Sequence, residues 1–224
     1  METVIYHGSE KIVEVPTYGY GKNNNDFGRG FYCTQEIELA KEWGCKKGTD
    51  GFANCYTIDM SKLHIINLNS PEYNILHWLA LLTKYRGYWQ VKSIAEQAKI
   101  YLQEHYLVDI SVADIIIGNR ADDSYFSFAQ DFIMGTISLQ KLAVAMQLGR
   151  LGEQLVLKSK RAFGSVKFVG QESAYASEYY IKKTQRDLRA RREYASVKSK
   201  TDYMNDIYMI DILRGRVQDD ALRI

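Results

Sequence analysis

A chain of 224 residues, 46% hydrophobic and 25% charged, carries enough apolar material for one good-sized core or two small ones, which excludes a disordered or fibrous protein. A net charge of +2 excludes bulk electrostatic attraction to nucleic acid, and only 2 prolines leave no proline-rich linker. Three cysteines (Cys33, Cys45, Cys55) lack metal-ligand spacing and read as reduced thiols of a cytoplasmic protein.

Met1-Glu2-Thr3 enters a strand pattern with no basic segment before it, so no signal peptide is expected. Val4-Ile5-Tyr6-His7 reads as a buried strand ending at Gly8, and Ile12 to Val15 as a second apolar cluster closed by Pro16. Residues 18–26 are rich in turn formers and form a loop. Phe31-Tyr32-Cys33-Thr34 is a strand, with Thr34 at the N-cap of a helix that reaches about Trp43. Residues 53–59 and 64–68 are further strands.

From Ser70-Pro71 the period becomes helical: Ile75, Leu76, Leu79 and Leu82, then Ile94, Ala98, Ile100 and Leu102. The most apolar stretch, from Ile75 to Leu82, is too short to span a bilayer. Residues 114–118 are a brief apolar strand or helix entry, and helices follow over 124–134 and 138–148. Strand character returns at 154–159 and 166–169, and a charged helix runs from about Ala174. This order predicts an α+β domain over residues 1–172 with a helical insertion at about 71–148, then a helical C-terminal extension over 173–224.

Two motifs bear on chemistry. His7-Gly8-Ser9 closes the first strand, and glycine there permits close approach to backbone. Asp26-Phe27-Gly28-Arg29-Gly30-Phe31-Tyr32 sets a glycine-rich bend before a strand that carries an aromatic face suited to a cationic ring. A dinucleotide fingerprint of the Rossmann type fails, because a strand rather than a helix follows these glycines.

In this order the two motifs resemble the nicotinamide-pocket signature of the ADP-ribosyltransferase superfamily, in wording closest to a bacterial branch. The resemblance covers roughly residues 4–60 and 150–170. It implies a split, mostly antiparallel β-core with NAD, as substrate, in the cleft between its sheets. It also implies that His7 holds the ribose and the Gly8 backbone pairs with the carboxamide, with Ser9 assisting. Tyr32 and Trp43 sandwich the nicotinamide, and Ala40 fills the small position three before Trp43. Gly28 and Gly30 shape the pocket, and Arg29 and Lys22 lie near the pyrophosphate.

The catalytic position of the family opens a later strand. Gly152-Glu153-Gln154-Leu155-Val156-Leu157 fits, with Gln154 in that slot and Glu153 on the opposite face. Glu178, before Tyr179-Tyr180-Ile181, is a rival. The motif is thus His-Tyr-Gln, a departure from the commoner His-Tyr-Glu. Glutamine orients by hydrogen bonds but carries no charge and is no general base, so Glu153, Asp26 or the substrate itself is left to supply one.

The expected activity is NAD-dependent mono-ADP-ribosyl transfer to a protein or nucleic-acid acceptor, in a toxin or defence effector. Two alternatives are a non-catalytic NAD or ADP-ribose binding module and a helical protein whose C-terminal helices bind a partner such as an antitoxin. His64, His77 and His105 have no metal-ligand spacing, and no metal is expected. Asp122-Asp123 reads as a helix cap, and the basic run Lys182 to Arg192 as a solvated helix face.

Overall fold

The computed structural model describes residues 2–86, 93–121, 123–149 and 152–222. By its contacts the chain divides into two units, one of residues 1–67, 109–119 and 151–186, the other of residues 68–108, 120–150 and 187–224.

The first unit holds two sheets. β1 (Glu2–Ser9), β3 (Gly51–Asp59) and β7 (Val166–Ala174) form an antiparallel sheet in the order β1-β3-β7. β2 (Phe31–Cys33), β6 (Glu153–Leu157), β5 (Ile115–Asn119) and β4 (Ile65–Asn67) form the second, in the order β2-β6-β5-β4. Among the described residues only β4 and β5 run parallel. The class is α+β, and the second sheet is mixed rather than wholly antiparallel.

Strand alternation builds the core. Ile5, Tyr56 and Ile58 of one sheet are buried with Phe31, Cys33, Ile115, Leu155 and Leu157 of the other. Phe31 meets Tyr56 edge-on at 5.6 Å. A buried carboxylate ties the second sheet to α6 (Lys160–Gly164): Asp114 accepts from the Arg161 guanidinium, the Ser159 hydroxyl and, at 2.7 Å, the His64 N–H. These donors, Arg161 foremost, hold its carboxyl well below the usual range.

Three sequence expectations change. Residues 12–15 form no strand, because the Val13 N–H is taken by Asn54 Oδ1 at 2.8 Å and its C=O by the Tyr56 hydroxyl. Thr34 is no N-cap: its N–H and C=O bridge to Tyr6, and α1 starts later, as Ile37–Gly44. The final strand, β7, extends to Ala174 along β3, beyond its apolar start.

In the second unit, α2 (Ile75–Tyr85) packs on α3 (Ser93–His105), and α4 (Asp123–Ile133) on α5 (Leu139–Met146). Asn74 and His77 close a capping box at the start of α2, a structural role for that histidine. α8 (Met209–Leu213) packs against α3. Asp122 and the Asp123 side chain lie outside the described residues.

The 24-residue α7 (Ala176–Ser199) begins in the first unit and continues into the second. At its start Tyr179 and Lys182 contact Glu38 of α1, and Lys41 joins Glu172 of β7 at 2.8 Å. Further on, Tyr194 stacks on Phe128 at 3.9 Å and donates to Asp131. Charges of the basic run are met by acidic partners: Lys182 by Glu178, Arg186 by Glu42, Arg189 by Glu193 and Arg191 by Asp187. The rival residue Glu178 thus sits in the first turn of a helix, not at a strand opening.

Asp114→Asn should destabilise the protein at neutral pH by about 2 kcal/mol, the worth of hydrogen bonds to a charged acceptor. The folded carboxyl lies below its unfolded value of about 3.9, so the wild-type advantage is full above about pH 4 and fades as pH falls further. Thermal unfolding of both proteins across pH 2–7 measures it; a gap that does not shrink between pH 4 and pH 2 would refute the assignment.

Candidate functional site

His7 lies near the end of β1, half-buried against the Phe31 ring, with ring centroids 4.2 Å apart. Its Nδ1 is 2.7 Å from the Tyr32 carbonyl, which only accepts, so Nδ1 carries the proton. Burial lowers the pKa of the ring, partly offset by that hydrogen bond. A neutral His7 therefore presents Nε2 as an acceptor.

Tyr32 and Gln154 face the same way. Tyr32 pairs with Val156 across the β2–β6 register, and Gln154 is two residues from Val156, so both point away from the core-facing side of Phe31, Leu155 and Leu157. The segment from Asp26 to Gly30 lies against that face. The Tyr32 hydroxyl donates to the Gly28 carbonyl at 2.7 Å and accepts the Phe27 N–H at 3.0 Å. Gln154 Nε2 donates to Asp26 at 2.9 Å and to the Asn119 carbonyl at 3.2 Å. Asp26, Phe27, Gly28 and Gln154 are buried, whereas Tyr32 is half-exposed. Gly28 takes φ +70°, which favours glycine, and closes a turn to the Asn25 carbonyl.

Lys158 carries no motif in its sequence context. It follows the apolar run of β6, and its Nζ donates to the Phe27 carbonyl at 2.6 Å and the Arg29 carbonyl at 2.5 Å. Burial pushes this ammonium down to about 8. With Tyr18, Gly19, Arg29, Gly30 and Phe163 it lines a cleft of about 150 Å³. Small-molecule sites run from about 300 Å³ upward, so this cleft is too small for a dinucleotide.

A second group forms where α1 crosses β1. A Cβ on Gly8 would lie 1.9 Å from the Ala40 carbonyl oxygen and 2.8 Å from Trp43 Cβ. Only glycine lets the helix approach this closely. Ala40 is fully buried, and Trp43 is half-exposed on α1. The Tyr6 N–H and C=O point to Thr34, so antiparallel alternation turns those of Gly8 toward the same edge, two residues past the bridge.

The remaining sequence candidates are placed less centrally. Ser9 Oγ donates to the Lys11 carbonyl at 2.6 Å and accepts from Asn54 at 2.9 Å, so it organises the following loop. Asn54, fully buried, is a residue that sequence reasoning missed; a lone amide inside an apolar strand is the signal that marks it. Glu153 is exposed on the opposite face from Gln154, and Arg29 and Lys22 are exposed. Among the described residues no three His, Cys, Asp or Glu converge as a metal site, and no helix is long and apolar enough to cross a membrane.

An α+β core with two sheets and a buried polar group beneath a glycine-rich segment defines the class. The family model described as "Protein of unknown function (DUF3990)" matches residues 3–168, and the chain belongs to that family. Comparison with curated proteins and with solved structures finds no match.

Two substitutions test this geometry. Lys158→Met keeps the stem and removes the donors to Phe27 and Arg29; amide hydrogen exchange at Phe27 to Gly30 should accelerate, with a stability loss of about 1–3 kcal/mol. Unchanged protection there would mean the loop holds itself. Gly8→Ala should cost about 1–3 kcal/mol by overpacking β1 against α1, read as a lower unfolding midpoint in urea. A neutral result would rule out that close contact.

Proposed function

We propose that this chain is a cytoplasmic NAD-dependent mono-ADP-ribosyltransferase acting on a protein or nucleic-acid acceptor. One observation carries the reading most: Tyr32 is tied to both other members of the His-Tyr-Gln set. Its carbonyl accepts from His7, and its side chain shares a sheet face and a covering loop with Gln154. The split arrangement of two sheets agrees with the fold that the sequence resemblance implies.

The chemistry asks for groups that these residues offer. Ribose hydroxyls donate, and His7 Nε2 and Gln154 Oε1 accept. A carboxamide needs one donor and one acceptor side by side, which the Gly8 N–H and C=O supply at the strand edge. Tyr32, pinned through its hydroxyl, and Trp43, on the helix wedged against Gly8, are the aromatic faces for a cationic nicotinamide ring. Arg29 is an exposed cation beside the glycine segment, suited to a phosphate.

In the reaction the bond from the anomeric carbon to the nicotinamide nitrogen breaks, and nicotinamide leaves with the electron pair. The ribose then carries oxocarbenium character, which the negative end of the Gln154 amide dipole stabilises. An acceptor nucleophile bonds to the anomeric carbon and loses its proton. The second reading, a binding module without turnover, is favoured by the absence of a carboxylate at position 154.

Purified protein incubated with NAD labelled in its adenylate half and cell lysate should transfer label to an acceptor and release nicotinamide. Tyr32→Ala and Gln154→Ala should each lower release about 100-fold, as removal of a single transition-state contact does elsewhere. Nicotinamide release without transfer would make the protein a glycohydrolase, and binding without release a module. Protein that neither binds nor consumes NAD would sink the proposal.

A further inference from the structure

We infer that Asp26 is a positioning residue for Gln154, and that the pair makes a glutamine amide serve as a fixed acceptor toward a bound ribose. The ribose part of this inference rests on the NAD reading above. Asp26 is 5% exposed and Gln154 3%, and their hydrogen bond joins the glycine segment to β6.

The two partners of Gln154 Nε2 are a carboxylate and a backbone carbonyl, and neither donates a proton. Flipping the amide would set Oε1 against two acceptors, so its orientation is fixed. Both N–H groups are spent, and Oε1 with its lone pairs is the part of the side chain left for a ligand. A charged acceptor on the N–H side also polarises the amide and makes Oε1 more negative, an effect that low dielectric strengthens.

The same geometry explains why glutamine stands here. A glutamate at 154 would put a second carboxylate beside Asp26 and the Asn119 carbonyl, losing both hydrogen bonds and burying like charges together. Glu153 cannot substitute, since it faces the other way and is exposed. Asp26 thus selects glutamine and supplies the negative charge indirectly, through the amide.

The test is a charge swap. Four proteins are compared: wild type, Asp26→Asn, Gln154→Glu and the double variant. Nicotinamide release, NAD binding by calorimetry and thermal unfolding are measured on each. Gln154→Glu should lose about ten-fold or more in turnover and unfold at lower temperature. Asp26→Asn frees the amide to flip, and should lower kcat about ten-fold with a smaller change in KM. In the double variant the amide introduced at position 26 donates to the carboxylate introduced at position 154, and both turnover and unfolding temperature should recover.

Higher turnover in Gln154→Glu alone, or a double variant no better than that single variant, would overturn the inference. A wild type that neither binds nor consumes NAD defeats the NAD reading separately. The pair is then judged on unfolding temperature alone: recovery in the double variant supports it, and additive losses refute it.

Discussion

The site depends on how the segment from Asp26 to Gly30 is held. It belongs to no helix or strand, yet Asp26, Phe27 and Gly28 are buried. Buried backbone polar groups need partners, and each one left unmet costs about 1–3 kcal/mol. The partners here are side chains from two neighbouring strands and the residue after them. Lys158 meets the Phe27 and Arg29 carbonyls, Tyr32 bridges Phe27 and Gly28, and Gln154 holds Asp26. The conformation of the glycine segment is therefore dictated by β2 and β6, and disturbing any of the three loosens the others' footing.

Lys158 shows how the opposing terms balance. Burial disfavours its charge and brings its pKa to about 8, still above neutral pH, so the ammonium persists in the cell's pH range. A charged donor makes the stronger hydrogen bonds to carbonyls. Lys158 and Arg29 both line the nearby cleft.

What can be read in the sequence and what cannot divide along a physical line. The strands with runs of β-branched and aromatic residues, at 4–7, 31–33 and 53–59, are legible because burial on a sheet face demands them. The far half of β7, Gly170 to Ala174, is polar because β7 is an edge strand, and only its pairing with β3 reveals it. Ile12 to Val15 misleads because two side chains, Asn54 and Tyr56, take the hydrogen bonds that a partner strand would have taken. Of the candidate site, His7, Tyr32 and Gln154 stand in local motifs. Asp26 stands in a motif that gives no sign of its partner, and Lys158 and Asn54 stand in none. Their contacts span sequence separations of 128, 131 and 41 residues. No local pattern encodes such a contact; it exists only once strands far apart in the chain have paired.

The seam between the two sheets gives the last step. β1 meets the end of β2 through a bridge, Tyr6 to Thr34, with bonds of 2.7 and 2.9 Å. Beyond it the chain turns into α1, and pairing stops. Alternation then directs the Gly8 N–H and C=O toward an edge where no strand continues. The helix pressed onto Gly8 bars a side chain there and brings Trp43 alongside. One feature, the early end of strand pairing, thus creates a backbone donor and acceptor, requires glycine beside them and delivers an aromatic residue.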